Sequence, residues 1–166
     1  MSDAPEKVAQ ATRQRAAVYA HLFKVLKSRL GEPLAIELMS EAIRNYGRDK
    51  SLAGYSAEAR GGDLMQAAAE FVEPDPVKEY QFAPRIVSER ADEVVIAMSG
   101  CPLVDEWRDM GLSDDEIAVL CKVSRAVDHG TWEDALGCDL CFEGTRGEGG
   151  GECVLRVKKR IGGVTG

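Results

Sequence analysis

The hydrophobic period of this chain changes once, and the change limits the folds open to it. As far as Phe71 the apolar residues recur mostly every three or four positions, as they do along one face of a helix. From Arg85 onward come short apolar or alternating runs bounded by turn residues, the pattern of strands. Helices first and strands later, rather than the two alternating, point to an α+β protein. We expect an antiparallel sheet of about four strands, with the N-terminal helices and later helices packed on it. A length of 166 residues suits a single domain, 1–166, with a helical part over 1–73 and an α+β part over 84–160.

Val8, Tyr19, Leu22, Leu26 and Leu30 set a first helix over 5–30, which Gly31 ends. Pro33 fits a first helical position, and Ala35, Leu38, Met39, Ala42, Ile43 and Tyr46 form the apolar stripe of a second helix. Gly47 is expected to close that helix as a C-terminal cap, making the pair an αα-hairpin. These N-terminal helices also offer the surface for a homo-oligomer. Residues 48–62 read as a loop. Asp63 then caps a third helix, with Gln66 in the reciprocal position of a capping box, and Pro74 and Pro76 stop it at a seam. Arg85 to Arg90 and Glu93 to Met98 make a hairpin around Ala91-Asp92. Val94, Val95, Ile96 and Ala97 are apolar on both faces, so the second of these strands should be central and covered by helices.

All five cysteines fall between Cys101 and Cys153. With a net charge of −7 and a pI near 5.0, the chain has little non-specific attraction for nucleic acid or anionic lipid. No apolar run is long enough to cross a bilayer, and the first residues lack the basic-then-apolar pattern of a signal peptide. A cytoplasmic protein is therefore expected, with reduced thiols and a small-molecule ligand, no nucleic acid and no membrane among its partners. An odd number of cysteines also argues against a complete disulfide framework. The thiols are packing, ligands or reactive groups.

Ser99-Gly100-Cys101-Pro102 is the junction of a strand and a helix. Pro102 fits the first helical position, which makes Cys101 the N-cap and puts its thiol near free N–H groups. That place favours thiolate and would make Cys101 the most reactive thiol; the other reading is a small buried hydrophobe at a strand end. Ser113 and Glu116 form a capping box for the next helix, with Leu112 and Ile117 as its staple. On that helix Ile117, Cys121, Arg125 and Asp128 share a face. A carboxylate near a helix C-terminus is unfavourable, so Asp128 is either a general base or substrate anchor, or the local partner of Arg125. His129 beside it makes a candidate proton-handling pair, and Gly130 frees the chain to turn. His21 receives no role.

Parity places Cys138, Leu140 and Phe142 on one face of a strand and Asp139, Cys141 and Glu143 on the other. Cys153, Leu155 and Val157 share the apolar face of its partner. Cys138 and Cys141 therefore point opposite ways and cannot jointly hold an ion, which sets aside a CxxC metal or redox motif. If a metal is bound, Cys101, Cys121 and Cys153 are its candidate ligands; otherwise no metal is expected, and the sequence names no cofactor. The stretch Thr145 to Gly151 lacks the Gly-Lys-Ser/Thr ending of a P-loop and reads as a flexible hairpin tip. The tail after Arg160 reads as mobile.

Cys101-Pro102, Trp107, Gly111, Glu116, Cys121, Asp128 and Gly151-Glu152-Cys153 together resemble the L-2-amino-thiazoline-4-carboxylic acid hydrolase family, as does Asp63-Leu64 upstream. The resemblance covers roughly the last two-thirds of the chain. It departs in the longer glycine-rich loop and in Val154-Leu155-Arg156, where an aromatic is expected. The resemblance implies hydrolytic opening of a C–N or C–S bond in a small cyclic amidine, with weight on Cys101, Cys121, Asp128 and Cys153. In that scheme Cys101 is the nucleophile, Asp128 or His129 moves protons, and Cys121, Arg125 and Cys153 contact substrate, the Arg125 guanidinium holding the substrate's carboxylate. The alternative is a binding module for a small molecule or metal cofactor, without catalysis.

Overall fold

The computed structural model describes residues 3–160, so the tail expected to be mobile lies outside the described residues. Helices α1 (Ala4–Leu30) and α2 (Glu32–Gly54) form the expected hairpin about Gly31. Gly47 does not end α2. It is buried in mid-helix, where an added Cβ would collide with the backbone carbonyl of Val127. Its lack of a side chain serves a close crossing, which overrides its low helix propensity. The segment 48–62 is accordingly mostly helical: α2 runs on to Gly54, and a short helix α3 (Ala57–Arg60) follows, capped by Ser56.

Helix α4 (Leu64–Val72) starts at Asp63, whose carboxylate accepts the Gln66 N–H at 3.0 Å. The Gln66 side chain donates onward to Glu70 at 2.8 Å, so it does not serve the reciprocal half of the expected box. Beyond the seam, Pro76 opens helix α5 (Pro76–Gln81), capped by Asp75. A proline that stops one helix is here the first residue of the next.

Strands β1 (Pro84–Arg90) and β2 (Glu93–Met98) form the hairpin. Helices α6 (Pro102–Asp109), α7 (Asp114–Ser124) and α8 (Ala126–His129) follow. The chain does not turn at Gly130 but continues as a π-helical segment, Gly130–Ala135, before β3 (Cys138–Gly144) and β4 (Cys153–Lys159). The fold is α+β, and its four strands are antiparallel in the order β1-β2-β4-β3. β2 is central, as its composition requires. One of its faces packs Val94 and Ile96 against Leu155, Val157 and the helical residues Leu64, Ala68 and Trp132. On the other, Val95 and Ala97 stay buried beside ion pairs that join Arg156 to Glu93 and Glu143, and Arg85 to Glu152. Long paired side chains thus stand on the face where covering helices were expected.

Two apolar cores result. The helical core joins α1, α2, α6 and α7 around Phe23, Met39, Ile43 and Trp107. Trp107 is fully buried, and its indole N–H donates to the Ala16 carbonyl at 2.8 Å, locking α6 onto α1. The sheet core gathers the inner faces of β2, β3 and β4 with α4 and Trp132. The α1–α2 hairpin leaves Val18, Leu22, Val25, Leu34 and Leu38 exposed.

Candidate functional site

A cavity of about 550 Å³ lies where the two cores meet. Ile43, Leu103 and Cys121 reach it from the helical core; Met98, Phe142 and Cys153 reach it from the sheet core. Its volume and apolar walls are those of a small-molecule site.

The crossing of α2 with the segment from α8 to Ala135 sets one wall. Gly47 lies against Val127, and Gly130 lies against the backbone of Arg44 and Arg48, so the two helices touch main chain to main chain. Arg44 fastens the crossing, donating to both oxygens of Asp134 at 2.7 and 2.8 Å and to Glu133 at 2.9 Å. This crossing brings Asp128 into the cavity together with Lys50, Ser51 and Tyr55 from α2 and its end. Burial is the main force on the Asp128 carboxyl and pushes it up to about 6, against the opposing pull of Lys50 and His129. Burial, with help from Asp128 and Glu70, also pushes the Tyr55 phenol up, so it stays a proton donor.

Cys101 caps α6 in extended backbone conformation, as its place before Pro102 predicts. Its thiol behaves otherwise than expected. Burial pushes it up to about 11, and the N–H groups of Val104 and Leu103 offset only part of that. The dipole at the start of a helix is a modest effect, whereas removing a thiolate from water is a large one. Cys153 is pushed up as well, chiefly by burial. Cys101, Cys121 and Cys153 all line the cavity; Cys121 and Cys153 act electrostatically on Cys101, and Cys121 on Cys153. Among the described residues, however, no group of three or more His, Cys, Asp or Glu side chains is arranged to hold a metal ion.

The glycine-rich stretch is not a free tip. Arg146–Glu148 forms a 3-10 turn whose Gly147 is buried against Cys121, where any side chain would overlap the thiol. Arg146 ties this turn to the Cys101 junction. Its guanidinium donates to the Ser99 carbonyl at 2.7 Å and reaches Asp105 at 3.4 Å, while its N–H donates to Cys153 Sγ at 3.4 Å.

Of the residues singled out in the sequence, Cys101, Cys121, Arg125, Asp128 and Cys153 therefore share one cavity. Asp128 is not the partner of Arg125. That guanidinium is engaged by Glu148 at 3.0 Å and lies over Phe142 at 5.2 Å. His129 is not among the lining residues; its Nδ1 lies 3.1 Å from Glu133 and its ring packs on Phe142. Sequence reasoning missed Arg15, Tyr19, Lys50, Tyr55 and Arg146. A signal for some of them existed, since Arg15 with Tyr19 and Tyr46 with Lys50 are each four apart and share a helix face.

Alkylation of the native protein should label Cys141 first, because it is exposed, with Cys101 slower and buried Cys121, Cys138 and Cys153 modified only on unfolding. Peptide mapping of a timed iodoacetamide reaction measures this. Cys101 leading the series would show that its thiolate is stabilised after all.

The architecture is that of an α+β protein whose fold has a counterpart among solved structures. A trafficking protein particle complex subunit 3 from Naegleria fowleri, covalently bound to palmitic acid in its crystal structure, is similar to this chain with a TM-score of 0.61. The similarity covers 90% of this chain and 95% of that one at 13% sequence identity, a level that shows shared fold alone. Residues 11–157 match the L-2-amino-thiazoline-4-carboxylic acid hydrolase family, and the chain belongs to that family. No protein of curated function matches it.

Proposed function

We propose that the cavity is a hydrolytic site that opens a cyclic amidine bearing a carboxylate, with Asp128 as the group that moves the proton. The observation that carries this reading is the place of Asp128: a carboxyl in an apolar cavity, raised to about 6 by burial. A base poised near the working pH can both take a proton and return it. Water adds to the carbon between the ring nitrogen and sulfur as ionised Asp128 accepts its proton. The same proton then passes to the departing ring atom, the carbon–heteroatom bond breaks, and the net change is addition of one water. Cys101, held as the thiol, is a wall of the site in this scheme and not its nucleophile.

The test is incubation with 2-amino-thiazoline-4-carboxylate and mass spectrometry of the product, which must be heavier than the substrate by one water. Turnover should fall as pH drops through about 6, where Asp128 gains its proton, and Cys101→Ser should keep most of it. Loss of turnover in Cys101→Ser with folding intact would return the nucleophile to Cys101.

A second reading is capture of an acyl group without turnover. It is favoured by the three thiols facing an apolar cavity and by the palmitic acid held covalently in the Naegleria fowleri subunit. Intact mass of the purified chain distinguishes it, since a thioester-linked acyl group is removed by hydroxylamine.

A further inference from the structure

The rim and floor of the cavity differ in chemistry. Arg15, Tyr46 and Lys50 at the rim are exposed, whereas Ile43, Leu103, Cys121 and Cys153 at the floor are buried. Three hydroxyls at the floor are already used. The Ser51 hydroxyl donates to Thr131 at 2.9 Å, Thr131 donates to the Val127 carbonyl at 3.1 Å, and Thr145 donates to Glu148 at 2.7 Å. These three hydroxyls therefore offer an anion no free donor, and a charged group left at the apolar floor would forfeit its hydration.

Cations of the lining divide in the same way. Arg125 is held by Glu148, and Lys78 donates to the carbonyls of Glu70 and Phe71 at 3.1 and 3.4 Å. Arg15 and Lys50 have no ion pair among the described residues; Lys50 lies over the Tyr46 ring at 5.9 Å. Of the three lining carboxylates, Glu70, Glu73 and Asp128, the first is bound by Ser56 and Gln66. Four cations against three carboxylates give this lining a positive balance on a chain whose net charge is −7. One five-membered ring with a carboxylate would also leave most of 550 Å³ empty, forgoing contacts with the apolar wall.

We propose that the cavity recognises an amphiphilic anion, whose acidic head is taken by Arg15 and Lys50 at the rim and whose hydrocarbon body fills the apolar floor. The inference rests on the cavity being the ligand site of the proposed function, but not on turnover. Sodium dodecanoate below its micellar concentration is the probe, with butanoate and dodecan-1-ol as comparisons, each followed by titration calorimetry. Dodecanoate should bind one to one, and butanoate and dodecan-1-ol each at least tenfold more weakly. The double exchange Arg15→Ala with Lys50→Ala should weaken dodecanoate at least tenfold and leave dodecan-1-ol unchanged; both side chains are exposed, and the variant should still unfold cooperatively.

Equal binding of acid and alcohol, equal binding of long and short acids, or no effect of the double exchange would each overturn the proposal. Dodecanoate binding as described without ring opening would leave this inference standing and remove the hydrolytic reading. Ring opening that dodecanoate neither binds beside nor competes with would do the reverse.

Discussion

Gly130→Val is expected to lower the free energy of unfolding by about 3 kcal/mol or more, measured by denaturant titration. A Cβ at this position would overlap the Arg44 carbonyl oxygen and the Arg48 nitrogen, both main-chain atoms of α2. Neither can rotate away as a side chain would, so the two helices must move apart. Separation would also break the matching contact of Gly47 with Val127 and strain the pairing of Arg44 with Asp134. Gly54→Ala is the control. It lies on α2, the other helix of the crossing, with nothing within 4 Å of an added Cβ, and alanine there should be neutral or stabilising by a few tenths of a kcal/mol. Similar losses for both exchanges would mean that the crossing is not what holds this wall.

The same crossing explains what was legible in the sequence and what was not. Strand parity is a local property, so the inward turn of Cys138 and Cys153 and the outward turn of Cys141 followed directly from alternation. Caps are local too, and the Ser113–Glu116 box stands as read, with both of its hydrogen bonds formed. Gly47 and Gly130 were misread because a glycine has one appearance and two uses. It can end a helix or let another backbone approach, and only the partner decides which.

The site divides along the same line. Helical spacing placed Cys121 and Asp128 on one face of a single helix, but the helix breaks at Arg125, so Cys121 stands on α7 and Asp128 on α8, and both line the cavity. Lys50 falls in the stretch 48–62 that reads as a loop, and Arg15 lies on the first helix of the hairpin, where nothing local shows that α1 and α2 supply the rim. The charge state of Cys101 depends on burial by distant residues, which no spacing around Cys101-Pro102 encodes.

Asp128→Asn should reduce any ring-opening turnover by about 10²- to 10⁴-fold, the range for loss of a positioned acid–base group, and should make the protein more stable at neutral pH. Folded Asp128 titrates at about 6 against an ordinary value of 3.8. Between these values the folded protein holds a proton that the unfolded chain has released, so stability falls as pH rises from about 4 to about 6. Above that window the charged carboxylate lies in a cavity where Lys50 offsets only part of the loss of water. Asparagine is nearly the same shape and carries no charge. The gain over the parent should be on the order of 2 kcal/mol at pH 7 and should shrink toward zero near pH 4. Parallel denaturant titrations of the two proteins at pH 4, 5, 6 and 7 measure that difference. A difference that stays flat with pH would show that Asp128 is solvated like a surface carboxylate, and its role as a poised base would fall with it. A gain in stability joined to a loss of turnover is what a group kept for chemistry predicts, since its burial is unfavourable to the fold that holds it.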